Sequence, residues 1–178
     1  MLDLVYGRVN NEVRELAKRD EDAGYDLFIN PVWFRETYPE GFAVIQPKEL
    51  LIIPVGIVTA FSKDYVGLLF ERGSTGIRCM SKRSGVIDSG FRNEWMIPIN
   101  NTGDKVIVLY DPALHEALED SDDFTYYSIK KGIGQVIFMQ LPDTNISELP
   151  VSMVEAIASE RGTKMLGSTN HIQEYKVA

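Results

Sequence analysis

The chain is poor in residues that build metal centres and cross-links. It has one cysteine, Cys79, and two distant histidines, His115 and His171. A single thiol cannot close an internal disulfide, and this spacing matches no zinc site, which excludes zinc-dependent deamination. Cations are also in short supply, with 18 Lys and Arg against 26 Asp and Glu and a formal net charge of −8. An acidic surface opposes non-specific nucleic-acid binding, which needs basic groups to displace counterions. A small anionic substrate stays compatible where a few arginines cluster. Long apolar runs are missing too. LLIIPVGIV at 50–58 is too short and interrupted to cross a bilayer. MLDLVYGR at the start lacks the apolar stretch of a signal peptide, so a cytoplasmic protein with no membrane partner is expected.

What is present suits one domain with a sizeable core: 178 residues, 44% hydrophobic and 25% charged. The runs YDLFI, FAVI, VGIVTAF, YVGLLFE, WMIPIN, KVIVLY and QVIFMQL read as strands separated by Pro, Gly, Asn and Asp. Their spacing predicts an all-β jelly roll or barrel. EVRELAK at 12–18 and PALHEALED at 112–120 predict two short helices decorating loops. The acidic stretch 111–128 stands between two strand-like runs and reads either as a surface insertion able to bind a partner or as an ordinary long loop. Residues 1–150 are expected to form the β domain, and 151–178 a C-terminal strand and mobile arm.

Three stretches carry candidate chemistry. In GVIDSGF at 85–91, a short apolar strand delivers Asp88 at its end, where a carboxylate can orient a water for attack on phosphorus. The same Asp-Ser-Gly also reads as the start of a plain turn. In ERGSTG at 71–76, Arg72 follows a strand and precedes small residues whose backbone amides and hydroxyls can face an anion. Gly-Ser-Thr-Gly is a common turn as well. In RGTKMLGST at 161–169, Arg161 and two hydroxyls can close over a polyphosphate, or simply belong to a flexible terminus.

These stretches occur in one order, with AGYDL at 23–27 upstream and IGQVIF at 133–138 before the tail. The arrangement resembles the five motifs of the all-β, homotrimeric deoxyuridine triphosphate nucleotidohydrolases, or dUTPases: AGYDL, PRSG, GVIDxxYxG, GDRIAQL and RGxxGFGSTG. The likeness spans residues 23–170, and the insertion and loosened motifs look most like a phage or viral member, which would act in a host cytoplasm.

The resemblance implies hydrolysis of dUTP to dUMP and pyrophosphate, with Mg²⁺ as cofactor and active sites shared between three subunits. Asp26 would sit near the metal through bound water. Arg72, Gly73 and Ser74 would hold phosphates, and Gln135 a phosphate or water. Gly85, Val86, Ile87 and Asp88 would form the uracil-reading hairpin, closed by Met96, with Asp88 orienting the attacking water. Phe91 stands in place of the tyrosine under the deoxyribose, keeping the ring face and losing the hydroxyl. In the fifth motif Arg161, Gly162, Gly167, Ser168 and Thr169 match, while Leu166 replaces the phenylalanine that stacks on uracil. Glu71 and Gly73 replace a proline and a serine, and KKGIGQ lacks the Gly-Asp-Arg of the fourth motif. Two other readings stand beside hydrolysis. One is a regulatory protein of the same fold, with a weakened site, acting through 111–128. The other is a dCTP deaminase, which IDSGF also resembles but which needs a glutamate where this chain has Pro98.

Overall fold

The computed structural model describes residues 1–159 and 162–163. They fall in two compact units, divided between Pro142 and Asp143. The first unit carries twelve strands, arranged in four sheets that do not close into a barrel. One sheet has four antiparallel strands in the order β2 (Tyr25–Leu27), β12 (Gly134–Gln140), β6 (Tyr65–Phe70) and β8 (Val86–Ile87). A second places β9 (Met96–Asn101) between β4 (Leu50–Pro54) and β7 (Met80–Lys82). A third places β10 (Val106–Tyr110) between β3 (Phe42–Ile45) and β11 (Phe124–Ser128), and β1 (Leu4–Arg8) pairs with β5 (Ile57–Phe61).

The period of two explains the core. β5 buries Ile57, Thr59 and Phe61 and leaves the residues between them partly exposed. The central strand β10 buries Ile107 to Tyr110 without alternation, because both of its faces are covered. Trp95, Tyr127, Phe34, Leu27, Ile53 and Ile97 are among the side chains wholly withdrawn from solvent.

The seven strands expected between residues 24 and 141 all form, but neither expected helix does, and residues 151–155, where a C-terminal strand was expected to begin, are helical. At 12–18 the Asn10 side-chain oxygen accepts the amides of Glu12 and Val13, and the Arg8 guanidinium donates to the Val13 carbonyl, which a helix would have used. Val13 and Leu16 are buried from an extended backbone instead. At 112–120 only a turn forms, with the Leu114 and His115 amides both donating to the Asp111 carbonyl. Helices form elsewhere: α1 (Pro31–Thr37), α2 (Gly73–Gly76) and α3 (Val151–Glu155). α1 has proline at its first position and Asn30 accepting from the amides of Val32 and Trp33, a start signal strong enough to override the β-rich surroundings. In the second unit α3 follows Pro150 and buries none of its residues.

The stretch 111–128 is also corrected. β10 and β11 run parallel, with Val106 opposite Phe124 and Tyr110 opposite Ser128. Parallel neighbours require a connection of about a dozen residues or more. Residues 111–123 supply that crossover, and the last part of the supposed insertion is a framework strand. Among the described residues no helix is long and apolar enough to cross a membrane.

Candidate functional site

Antiparallel pairing sets Asp26 on β2 directly opposite Gln135 on β12, and Gln135 opposite Phe70 on β6. Two residues past Phe70, Arg72 returns over this patch: its Nε lies 2.8 Å from Asp26 Oδ1. Gln135 Nε2 donates to the Glu71 carbonyl at 2.9 Å, which fixes the turn on which Arg72 stands. Small residues make these approaches possible. A Cβ on Gly24 would meet Gln135 Oε1 at 2.7 Å, and one on Gly132 would meet the Arg72 side chain at 3.0 to 3.1 Å.

The ERGSTG stretch is a single helical turn rather than an open loop. Thr75 is buried and spends its hydroxyl on the turn itself, accepting from the Arg72 amide at 3.0 Å and donating to the Arg72 carbonyl at 2.9 Å. Of the two hydroxyls only Ser74 lines the cleft, 3.5 Å from the phenolic oxygen of Tyr127. Tyr127 is buried and donates to the Gly132 carbonyl at 2.6 Å, bracing the strand that carries Gln135. Glu71 anchors the turn from behind by accepting from the Lys82 amide at 2.8 Å. Burial would raise the Glu71 pKa, but the amides of Lys82 and Glu71, the Lys82 charge and Ser81 hold it below the ordinary value.

Asp26, Arg72, Gly73, Ser74 and Gln135 thus border one open cleft of about 1210 Å³. The extended segment before β2, including Arg14, Lys18, Arg19 and Asp22, lines it as well. Arg19 and Asp22 pair at 2.8 Å, and the Arg19 hydrogen bond holds the Asp22 carboxyl below its usual range. Among the described residues no group of three or more His, Cys, Asp or Glu is placed to hold a metal.

No family model matches the chain. A mutant of the Staphylococcus bacteriophage 80alpha dUTPase with dUpNHpp superposes at a TM-score of 0.69 with 20% identity, over 94% of this chain and 98% of that one. The phage phi11 dUTPase, described with a structural Mg(II) ion, gives 0.62 and 19% identity over 83% and 96%. The native EIAV dUTPase gives 0.57 and 20% over 84% and 98%. The chain has the dUTPase fold. In sequence, the Pol polyprotein of caprine arthritis encephalitis virus is 27% identical over 94 residues, 53% of this chain and 8% of that polyprotein.

Within this dUTPase fold the expected site residues separate into two groups. Gly85 to Asp88, Phe91 and Met96 do not border the cleft. β8 pairs with the far side of β6, Ile87 opposite Gly67, so Asp88 follows opposite Val66. The Arg72 guanidinium sits over the patch of Asp26, Gln135 and Phe70, and Phe70 is four residues further along β6, about 13 Å at the rise of a strand. The Phe91 amide donates to the Asp88 carbonyl at 3.0 Å, closing the turn, and both side chains face solvent, Phe91 38% exposed and Met96 45%. Arg161, Leu166, Gly167, Ser168 and Thr169 lie outside the described residues. Sequence reasoning missed the wall at 14–22 and the Tyr127 brace. The visible signal for the wall was three cations within six residues of an acidic chain, at Arg14, Lys18 and Arg19.

Proposed function

We propose that this chain hydrolyses dUTP to dUMP and pyrophosphate. The observation that carries the reading is the meeting of Asp26, Arg72 and Gln135 at one cleft of a dUTPase fold. A carboxylate and an amide on two paired strands, with a permanent cation on the turn that follows a third, suit a polyphosphate with its metal. Phage 80alpha dUTPase is described with the dUTP analogue dUpNHpp, which points to the same substrate class here.

In this mechanism Arg72 and Ser74 bind phosphate oxygens, and Gln135 uses its free amide hydrogen and oxygen on a phosphate or water. Val86 and Ile87 present backbone groups to the uracil edge, and Phe91 offers its exposed ring face to the sugar. Asp88 orients a water and accepts its proton as the oxygen attacks the α-phosphorus. The bond to the bridging oxygen breaks in line, and pyrophosphate leaves with the bonding pair. Arg161, Leu166, Gly167, Ser168 and Thr169, matched to the fifth motif, are further proposed nucleotide ligands.

Mg²⁺ fits the donor set. The ion keeps several waters and needs only one or two carboxylates when phosphates supply the remaining oxygens. Asp26, 37% exposed at the cleft, offers one such carboxylate. When bound, the ion offsets phosphate charge and fixes phosphate geometry.

The separation of Asp88 from Arg72 within one chain gives the reading its quaternary part. A complete site needs Asp88 from one subunit beside Arg72 of another, as in a homotrimer with shared sites. The experiment is pyrophosphate release from dUTP, dCTP, dTTP and UTP in parallel with Mg²⁺, following ammonia in the dCTP sample. Release from dUTP alone supports the reading. Ammonia from dCTP would turn it to deamination. Inactivity on all four nucleotides would leave the regulatory reading, with the exposed carboxylates Glu116, Glu119, Asp122 and Asp123 on the crossover as the surface to probe.

A further inference from the structure

The cleft is electrically balanced as built: Arg14, Lys18, Arg19 and Arg72 line it together with Glu15, Glu21, Asp22 and Asp26. Its cations are not equivalent. Arg72 is engaged by Asp26 at 2.8 Å and Arg19 by Asp22 at 2.8 Å. Lys18 donates to the carbonyls of Arg19 and Asp20. Arg14 alone among these four has neither an ion pair nor a hydrogen-bond acceptor among the described residues. Its guanidinium carbon lies over the Phe28 ring, 4.3 Å from the centroid, and Phe28 lines the same cleft.

Stacking of this kind holds a guanidinium in place without using its five donors, so the planar fork stays available to an anion. The backbone beneath it is fixed as well. Val13 and Leu16 on either side of Arg14 are buried, and the Val13 carbonyl is held by Arg8 at 2.9 Å. In sequence, Gly132 stands where the fourth dUTPase motif carries arginine, and residues 130–132 supply no cation to the cleft.

We infer that Arg14 is a phosphate-binding residue of this chain, contributing from the segment before β2 the free cation that the fourth motif lacks. The inference rests on the polyphosphate reading of the cleft and adds a residue outside all five motifs. It also explains how an acidic chain whose cleft has no net charge attracts a polyanion: one cation is presented free, and the others can exchange partners.

The test is calorimetric titration with inorganic tripolyphosphate, with and without Mg²⁺, alongside dUTP kinetics. The variants are Arg14→Gln, Arg14→Lys, Phe28→Leu and, as a remote exposed charge, Lys63→Gln. Arg14→Gln is expected to weaken tripolyphosphate binding about tenfold, the scale of one charge-assisted hydrogen bond. It should raise KM for dUTP in parallel and leave kcat and the melting temperature nearly unchanged. Arg14→Lys and Phe28→Leu should fall between, because each keeps the charge but loses the stacked fork. Equal effects of Arg14→Gln and Lys63→Gln would overturn the inference, as would failure of the unaltered protein to bind tripolyphosphate. Loss of tripolyphosphate binding in Arg14→Gln without dUTP turnover in any form would retain Arg14 and remove the hydrolase reading. dUTP turnover with an unchanged KM in Arg14→Gln would do the reverse.

Discussion

Arg72 Nε and Asp26 Oδ1 are 2.8 Å apart, so the cation proposed to hold phosphate and the carboxylate proposed to hold the metal's waters neutralise each other. Both side chains are about one-third exposed. Such a pair is worth about 1 kcal/mol at most, which makes it exchangeable for ligands. Asp26→Asn is therefore expected to bind pyrophosphate without metal at least as tightly as the unaltered protein, while the gain conferred by Mg²⁺ falls about tenfold. Titration in chelator and in Mg²⁺ separates the two effects. Equal losses under both conditions would remove Asp26 from the metal role.

Asp88 follows β8 directly, is exposed, and its carboxylate has no hydrogen bond or ion pair among the described residues, which leaves it free for the proposed role of base. Asp88→Asn should leave dUTP affinity nearly intact and lower kcat about a hundredfold or more. Single-turnover kinetics with a parallel binding measurement check this, and unchanged turnover would take Asp88 out of the reaction.

The pairing of β8 with β6 keeps Asp88 and Arg72 of one chain far apart. Two inactive variants, Asp88→Asn and Arg72→Gln, should therefore complement each other when unfolded together and reassembled. In random hybrids about a quarter of shared sites receive both intact groups. Recovery of roughly that fraction of activity is expected, whereas a site confined to one chain would recover none.

Glu71 makes acid stability a readout of the Arg72 turn. Its folded pKa lies below the ordinary value of 4.5, with burial opposing and the Lys82 amide and its companions prevailing. The ionised form therefore contributes stability that is complete above the ordinary value and lost as pH falls through the lower, folded one. Melting temperature should drop between about pH 5 and 3 more steeply in the unaltered protein than in Glu71→Gln, which keeps an acceptor for the Lys82 amide without titrating. Parallel curves would show that Glu71 makes no such contribution.

The strand content of residues 24–141 was legible because alternation in runs such as IVTAF is a local property, and the seven strands expected there formed. The helices were not. EVRELAK has helical spacing, but Asn10 and Arg8 take the backbone groups a helix would need, and Arg8 reaches Val13 from a paired edge strand. Likewise, nothing local to 111–128 announces that Phe124–Ser128 lies parallel to β10. Parallel pairing is decided between distant segments, and its long crossover then looks like an insertion.

The site divides in the same way. By itself the sequence determined which chemical groups were on offer: Asp26, Arg72, Asp88 and Gln135, in an order resembling the dUTPase motifs, within an acidic chain almost without cysteine or histidine. Only tertiary structure decided which of them meet. Strand register set Asp26 against Gln135 and brought Arg72 over both, while the same four-stranded sheet carried Asp88 to the far edge and the opposite end of β6. It also made Arg14 a wall of the cleft, because burial of Val13 and Leu16 turns the polar positions of that segment outward, a consequence of packing that no window of sequence contains.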